Sequence, residues 1–393
     1  MKDLMSPRGR GARSGLDRLL ESPGLLTGQR VGLVTNASAV TDTAVPVVQA
    51  LAPISTLAAL FAPEHGLATR VPDGTPVSFA VDSQTVLPVY SLYGELRNPT
   101  DAMLQDVDLL LFDIQDVGAR FYTYIWTMSH VLEAAARFHL PVMILDRPNP
   151  INGLICEGPL LQPGYQSFVG RYPIPVRHGM TVGELARLFN ETLNLDADLT
   201  VIEMEGWRRQ MWFDETGLPW VPPSPAMPKL ETAIVYPGTC LLEGANVSEG
   251  RGTAMPFECL GAPWIDGYAL AGALHERALP GVRFRPTSFC PSTSKYAGEV
   301  CHGVYLHVMD RSTFQPLATG LHILSVLARL WPESFYWLGT SWEGRRPHFD
   351  LLIGTHWVRP ALDRGEPVEA MIARWQDELA QFRTQRQPYL LYD

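Results

Sequence analysis

The run Leu109-Leu110-Leu111-Phe112 constrains this chain more than any other feature. Consecutive apolar residues without polar alternation describe a strand covered on both faces, and such strands belong to parallel sheets packed between helices. The surrounding sequence agrees. Short β-rich runs at 30–35, 55–61, 107–113, 140–145 and 199–203 alternate with helical patterns at 16–21, 43–51, 121–138 and 182–192, the order of parallel strands joined by crossover helices. Thr181 and Glu184 have capping-box spacing at the start of the last helix. The prediction is an α/β fold built on a Rossmann-like, doubly wound parallel sheet.

Proline recurs at Pro219, Pro222, Pro223, Pro225 and Pro228, a density that neither a helix interior nor a central strand tolerates. The domain boundary is placed there, giving a first domain over 14–225 and a smaller α+β domain over 226–393. The second mixes strands at 282–286 and 303–309 with helices at 315–330 and 368–382. Two domains suit a chain of 393 residues, because single cores seldom grow beyond ~250–300 residues.

Thirty-one Lys and Arg against 41 Asp and Glu give a net charge of -10. That charge repels phosphate backbones and anionic lipid, so neither nucleic acid nor membrane is expected as a partner. A small anionic substrate stays compatible, since a local arginine holds a carboxylate whatever the net charge. The five cysteines are odd in number and show no C-x-x-C spacing, which reads as free thiols. The first ten residues carry charge without a following apolar stretch, so the expected location is cytoplasmic, with export reserved for an incomplete N-terminus.

In an open parallel sheet the loops leaving the carboxyl ends of the strands converge on a ligand crevice. Here those exits carry Thr35-Asn36, Pro63-Glu64-His65-Gly66, Asp113-Ile114-Gln115-Asp116 and Asp146-Arg147-Pro148-Asn149. Polar groups at four exits of one edge point to a site. Glu64 is the leading catalytic candidate, because Pro63 stiffens its approach, Gly66 turns the chain away, and the apolar strand end partly desolvates the carboxyl. His65 is placed beside it to orient it or to bond substrate.

The segment 113–124 adds Asp113, Gln115, Asp116, Arg120, Tyr122 and Tyr124. Sugar sites use this mixture, with carboxylates and amides on hydroxyls and aromatic faces over C–H surfaces. The glycine-punctuated segment 243–253 contributes Asn246, Ser248, Glu249 and Arg251, and Arg251 has the forked geometry that meets a carboxylate. Other chemistries lack their motifs. Gly32-Leu33-Val34-Thr35-Asn36 stands where a dinucleotide fold carries G-x-G-x-x-G, and no P-loop, G-x-S-x-G elbow or H-E-x-x-H is present. No cofactor or metal is expected.

Taken together, Gly32 to Asn36, Pro63 to Gly66, Asp113 to Tyr124, Leu145 to Gly153, Glu157-Gly158-Pro159, His178 to Thr181 and Asn246 to Thr253 resemble, in this order, the exo-acting β-N-acetylmuramidases of the NamZ type. The resemblance implies a Rossmann-like domain, a smaller C-terminal domain and an active site in the cleft between them. It also implies release of N-acetylmuramic acid from non-reducing ends of peptidoglycan fragments, with the family's catalytic glutamate at the position of Glu64. Glycoside cleavage needs a second group besides the acid. Asp116, Asp113, Glu249 and the substrate's own acetamido oxygen are the open choices, with Asp116 placed in the catalytic set. Arg251 or Arg120 would meet the lactyl carboxylate, and Asn36, Asp146, Arg147 and Asn149 complete the expected binding residues. A non-catalytic cell-wall-sugar binding protein, or a hydrolase of another N-acetylated sugar, are the competing readings.

Overall fold

The computed structural model describes residues 11–71, 75, 79–82, 85–94, 96–339 and 346–393. Strands β1 (Arg30–Thr35), β2 (Thr56–Ala62), β3 (Ala80–Val81), β4 (Pro88–Ser91), β5 (Leu109–Asp113) and β6 (Val142–Leu145) come first. They are followed by a β7 (Glu157–Leu160) and β8 (Pro175–Arg177) hairpin and by β9 (Leu199–Ile202). Seven of these form one sheet in the order β3-β4-β2-β1-β5-β6-β9. Neighbours are parallel throughout except β3 with β4.

Both faces of this sheet are covered. Leu33, Leu109 and Leu111 pack with Leu16, Leu19, Val47 and Leu51 on one side, while Val34, Leu110 and Phe112 pack with Ile125, Met128, Leu185 and Phe189 on the other. Side chains alternate across a strand, so burial on both faces requires the unbroken apolar run that marks β5. The chain winds outward from β1 through β2 to β4, then returns to β5 on the far side of β1, and the reversal makes a crevice at the carboxyl ends of β1 and β5.

The helices follow the sequence pattern closely. Val182–Thr192 starts at the Thr181/Glu184 capping box, with both reciprocal bonds formed. Tyr124–Phe138 begins later than the apolar pattern because residues 121–123 form the turn that leaves the sheet edge. Val47–Leu51 likewise begins after Pro46, and the helical pattern at 368–382 is divided at Trp375 into Val368–Arg374 and Gln376–Arg386.

The rest of the chain carries a smaller antiparallel sheet in which β12 (Cys301–Val308) lies between β10 (Cys259–Ala262) and β11 (Val282–Phe289). Helices Leu230–Thr239 and Pro316–Leu330 cross at glycines, where a Cβ on Gly238 would lie 1.8 Å from the Pro316 carbonyl oxygen. One apolar cluster runs from Phe121 and Tyr122 beside the large sheet to Tyr236, Phe257 and Phe349, so the two parts share a packed boundary. Among the described residues, no helix is long and apolar enough to cross a membrane.

Candidate active site

Strand β2 runs into Pro63 and delivers Glu64 at its carboxyl end. His65 (φ 71°) and Gly66 (φ 72°) then take left-handed conformations in succession, and the turn closes with the Gly66 amide donating to the Pro63 carbonyl at 3.1 Å. Glycine adopts this backbone freely; a histidine does so at a cost of about 1–2 kcal/mol, and His65 is held there by its Nδ1 at 2.8 Å from the Val71 carbonyl. Glu64 is 9% exposed. Thr123, at the start of helix Tyr124–Phe138, donates its hydroxyl to Glu64 Oε2 at 2.8 Å.

Glu64 opens on a cleft of about 960 Å³. The first part of the chain lines it with Glu64, His65, Tyr122, Thr123 and Phe168, the proline-rich connection with Ser224 to Met227, and the second part with Glu243, Glu249, Arg251, Lys295 and His348. Aromatic rings link the two parts edge to face, with Tyr122 and Tyr236 at 5.8 Å and Tyr236 and Phe257 at 4.7 Å between centroids. Burial pushes both tyrosine hydroxyls well above their ordinary range, so this surface is neutral and suited to the C–H face of a sugar ring.

The lining from the second part of the chain is ionic. Arg251 donates Nε and Nη2 to Glu243 Oε1 at 2.9 and 2.7 Å and lies 4.8 Å over the Phe257 ring. Glu243 Oε2 faces His348 Nε2 at 3.4 Å. Burial works to raise the Glu243 carboxyl, but Arg251 and His348 outweigh it and hold it below the usual carboxylate range. Lys295 donates to the carbonyls of Leu242, Ala245 and Val247 at 2.8, 2.9 and 2.7 Å and stands 2.9 Å from Glu249 Oε2.

Two family models cover this chain almost end to end: exo-beta-N-acetylmuramidase NamZ, N-terminal, matches residues 31–231, and its C-terminal counterpart matches residues 234–392. The chain belongs to the NamZ family. A relative from Bacillus subtilis (strain 168), peptidoglycan beta-N-acetylmuramidase NamZ, is 48% identical over 383 residues, covering 97% of this chain and 91% of the relative. Two crystal structures of DUF1343 family proteins from Bacteroides fragilis NCTC 9343 share the fold. One has a TM-score of 0.88 at 36% identity, covering 98% of this chain and 100% of its own; the other has 0.76 at 31%, covering 97% and 99%.

Within this NamZ-family cleft, the sequence candidates Glu64, His65, Tyr122, Glu249 and Arg251 are lining residues. The remaining candidates are engaged by the fold behind the lining. Asp113, fully buried, takes Arg147 in a two-point pair at 2.5 and 2.9 Å across the β5 and β6 ends. Asn36 accepts from Ser38, and Gln115 donates to the Asp116 and Pro148 carbonyls. Tyr124 donates to the Pro223 carbonyl at 2.5 Å. Asn149 donates to the Met180 carbonyl.

Arg120 corrects the expectation of a carboxylate ligand. It is fully buried, donates to the Pro159, Ile174 and Leu352 carbonyls, and burial lowers its guanidinium to about 9. It ties the large sheet to the second part of the chain instead of facing the cleft. Asp146 is similarly occupied by Thr181, Gly183 and Tyr392, and burial raises it to about 7. Asp116 accepts the Gly118 amide at 2.7 Å and lies 3.5 Å from His178 Nε2, outside the lining. Asn246 binds Ser334 and Tyr336, and Ser248 caps Gly250; both shape the loop that carries Glu249 and Arg251.

Thr123, Tyr236, Glu243, Lys295 and His348 join the site without having been singled out from the sequence. Glu243 stands eight residues before Arg251, and that spacing inside one polar loop was a usable signal. Lys295, in a distant turn, and His348, at the start of helix His348–Ile353, carry no motif of their own. Among the described residues, no group of three or more His, Cys, Asp or Glu side chains is arranged to hold a metal ion.

Proposed function

We propose that this chain is an exo-acting glycoside hydrolase that releases N-acetylmuramic acid from the non-reducing end of peptidoglycan fragments. The observation that carries the reading is Glu64, held by Thr123 at the mouth of β2 and lining a cleft that Arg251 lines as well. The reading is supported by the Bacillus subtilis relative, which is named for peptidoglycan β-N-acetylmuramidase activity and is 48% identical over 97% of this chain.

In this reading Glu64 protonates the glycosidic oxygen as the bond to C1 breaks, a contribution typically worth ~10²–10⁴ in rate. The Tyr122 and Tyr236 rings cover the apolar face of the sugar. Arg251 attracts the lactyl carboxylate that distinguishes muramic acid from glucosamine. A reducing compartment such as the cytoplasm suits the five unpaired cysteines, four of them buried.

The test is a time course on a glycan free of stem peptides, with products identified by mass. Single N-acetylmuramic acid units appearing from the first time point are expected. Early fragments of intermediate length contradict the exo assignment, and no cleavage of any muramic glycan contradicts the activity itself.

A further inference from the structure

Hydrolysis of a glycoside needs, besides the acid, a group that activates water or receives the anomeric centre. Three carboxyl side chains line the cleft among the described residues: Glu64, Glu243 and Glu249. Glu243 is committed, with one oxygen taking two N–H bonds from Arg251 and the other facing His348. Asp113 spends both oxygens on Arg147 and is fully buried.

Glu249 is different. It is 1% exposed yet belongs to the lining. Its Oε2 stands 2.9 Å from Lys295 Nζ, but an ammonium has three N–H bonds, and the carbonyls of Leu242, Ala245 and Val247 also draw on them. The Lys295 ammonium is thus shared among four acceptors, and Glu249 Oε2, held in this ion pair, takes no hydrogen bond of its own among the described residues. Oε1 lies 3.5 Å from Arg251 Nε. Buried acceptors are ordinarily satisfied, and an unmet one in a cleft marks the place of a ligand or water.

We propose that Glu249 is the second carboxylate of the reaction, the base that takes the proton of the attacking water. The step rests on Glu64 being the acid, as proposed above. Glu64 gives its proton to the departing oxygen while the C1–O bond breaks, the water oxygen bonds to C1 from the opposite face, and the water proton passes to Glu249 Oε2. Exchange with solvent then returns a proton to Glu64 and removes one from Glu249. The anomeric configuration inverts.

The test uses the full chain with Glu249→Ala, the isosteric Glu249→Gln and Glu64→Gln, each checked for native circular dichroism. Substrates are an unactivated muramic disaccharide and a 4-nitrophenyl β-N-acetylmuramide, whose leaving group needs no proton. Both Glu249 variants should lose at least ~10²-fold on both substrates, whereas Glu64→Gln should lose chiefly on the disaccharide. Sodium azide should restore turnover to Glu249→Ala and yield the α-glycosyl azide, and the wild-type product should form first as the α anomer. Near-normal rates in a folded Glu249→Gln protein, azide-insensitive loss, or a first-formed β anomer overturns the proposal. A wild-type protein inactive on both substrates would instead overturn the hydrolase reading on which it rests.

Discussion

Thr123 and Glu64 are joined by a 2.8 Å hydrogen bond that links the exit of one parallel strand to the start of the helix following another. The threonine fixes which way the carboxyl faces. A hydrogen bond of this kind contributes ~0.5–1.5 kcal/mol. Thr123→Val should lower kcat by about 3- to 10-fold with KM changed less than about twofold, and Thr123→Ser should recover most of the loss. A valine variant with wild-type kcat would show that Glu64 is oriented by other contacts.

Arg251 brings a positive charge to the cleft that Glu64 lines. Arg251→Ala should weaken muramic substrates by ~1.5–3 kcal/mol in kcat/KM while costing glucosamine analogues less. Paired kinetics on the two sugars measure the difference. Equal losses on both would assign Arg251 to the architecture of the loop it shares with Glu243.

Much of this arrangement was legible in the sequence, and the reason is geometric. β5 announced itself because burial on both faces leaves no room for polar alternation, and its neighbours followed from the same rule. Glu64 was legible because the sheet places strand exits on one edge and Pro63 and Gly66 frame it. The short strands β3, β4, β7, β8 and β10 carry too few residues to show a period. Asp113, Arg147, Asp146 and Arg120 have the chemistry of ligands, yet burial spends their hydrogen bonds on the fold, which spacing alone does not reveal. The Glu249 and Lys295 pairing was hidden for the opposite reason, since it is assembled from loops 46 residues apart in sequence.

Arg120 provides the contrast with Arg251. Arg120→Met leaves three buried carbonyls without donors, and each such loss costs ~1–3 kcal/mol. Denaturant unfolding should show a destabilisation of at least ~3 kcal/mol, with the preference for muramic over glucosamine substrates unchanged in the folded fraction. A selective loss on muramic substrates at native stability would return Arg120 to the binding site.

Tyr392 donates to Asp146 Oδ2 at 2.6 Å. Burial raises the Asp146 carboxyl from 3.8 to about 7, against the opposing pull of Tyr392, Thr181 and Gly183. A folded value above the unfolded one means the contribution of this group to stability is complete below about 3.8 and declines as pH rises to about 7. The Tyr392 hydroxyl favours the anion, so Tyr392→Phe should cost ~1 kcal/mol near pH 5 and more near pH 8. Urea unfolding at the two pH values checks the sign, and a larger cost at the lower pH would refute it.

The most direct test of the account is Glu64→Gln assayed on an unactivated muramic disaccharide, because the substitution keeps shape and removes the transferable proton. With native circular dichroism and unchanged melting temperature, turnover should fall by at least ~10²-fold. Near-normal release of N-acetylmuramic acid by the folded Glu64→Gln protein would contradict the assignment of Glu64 as the acid on which the whole account stands.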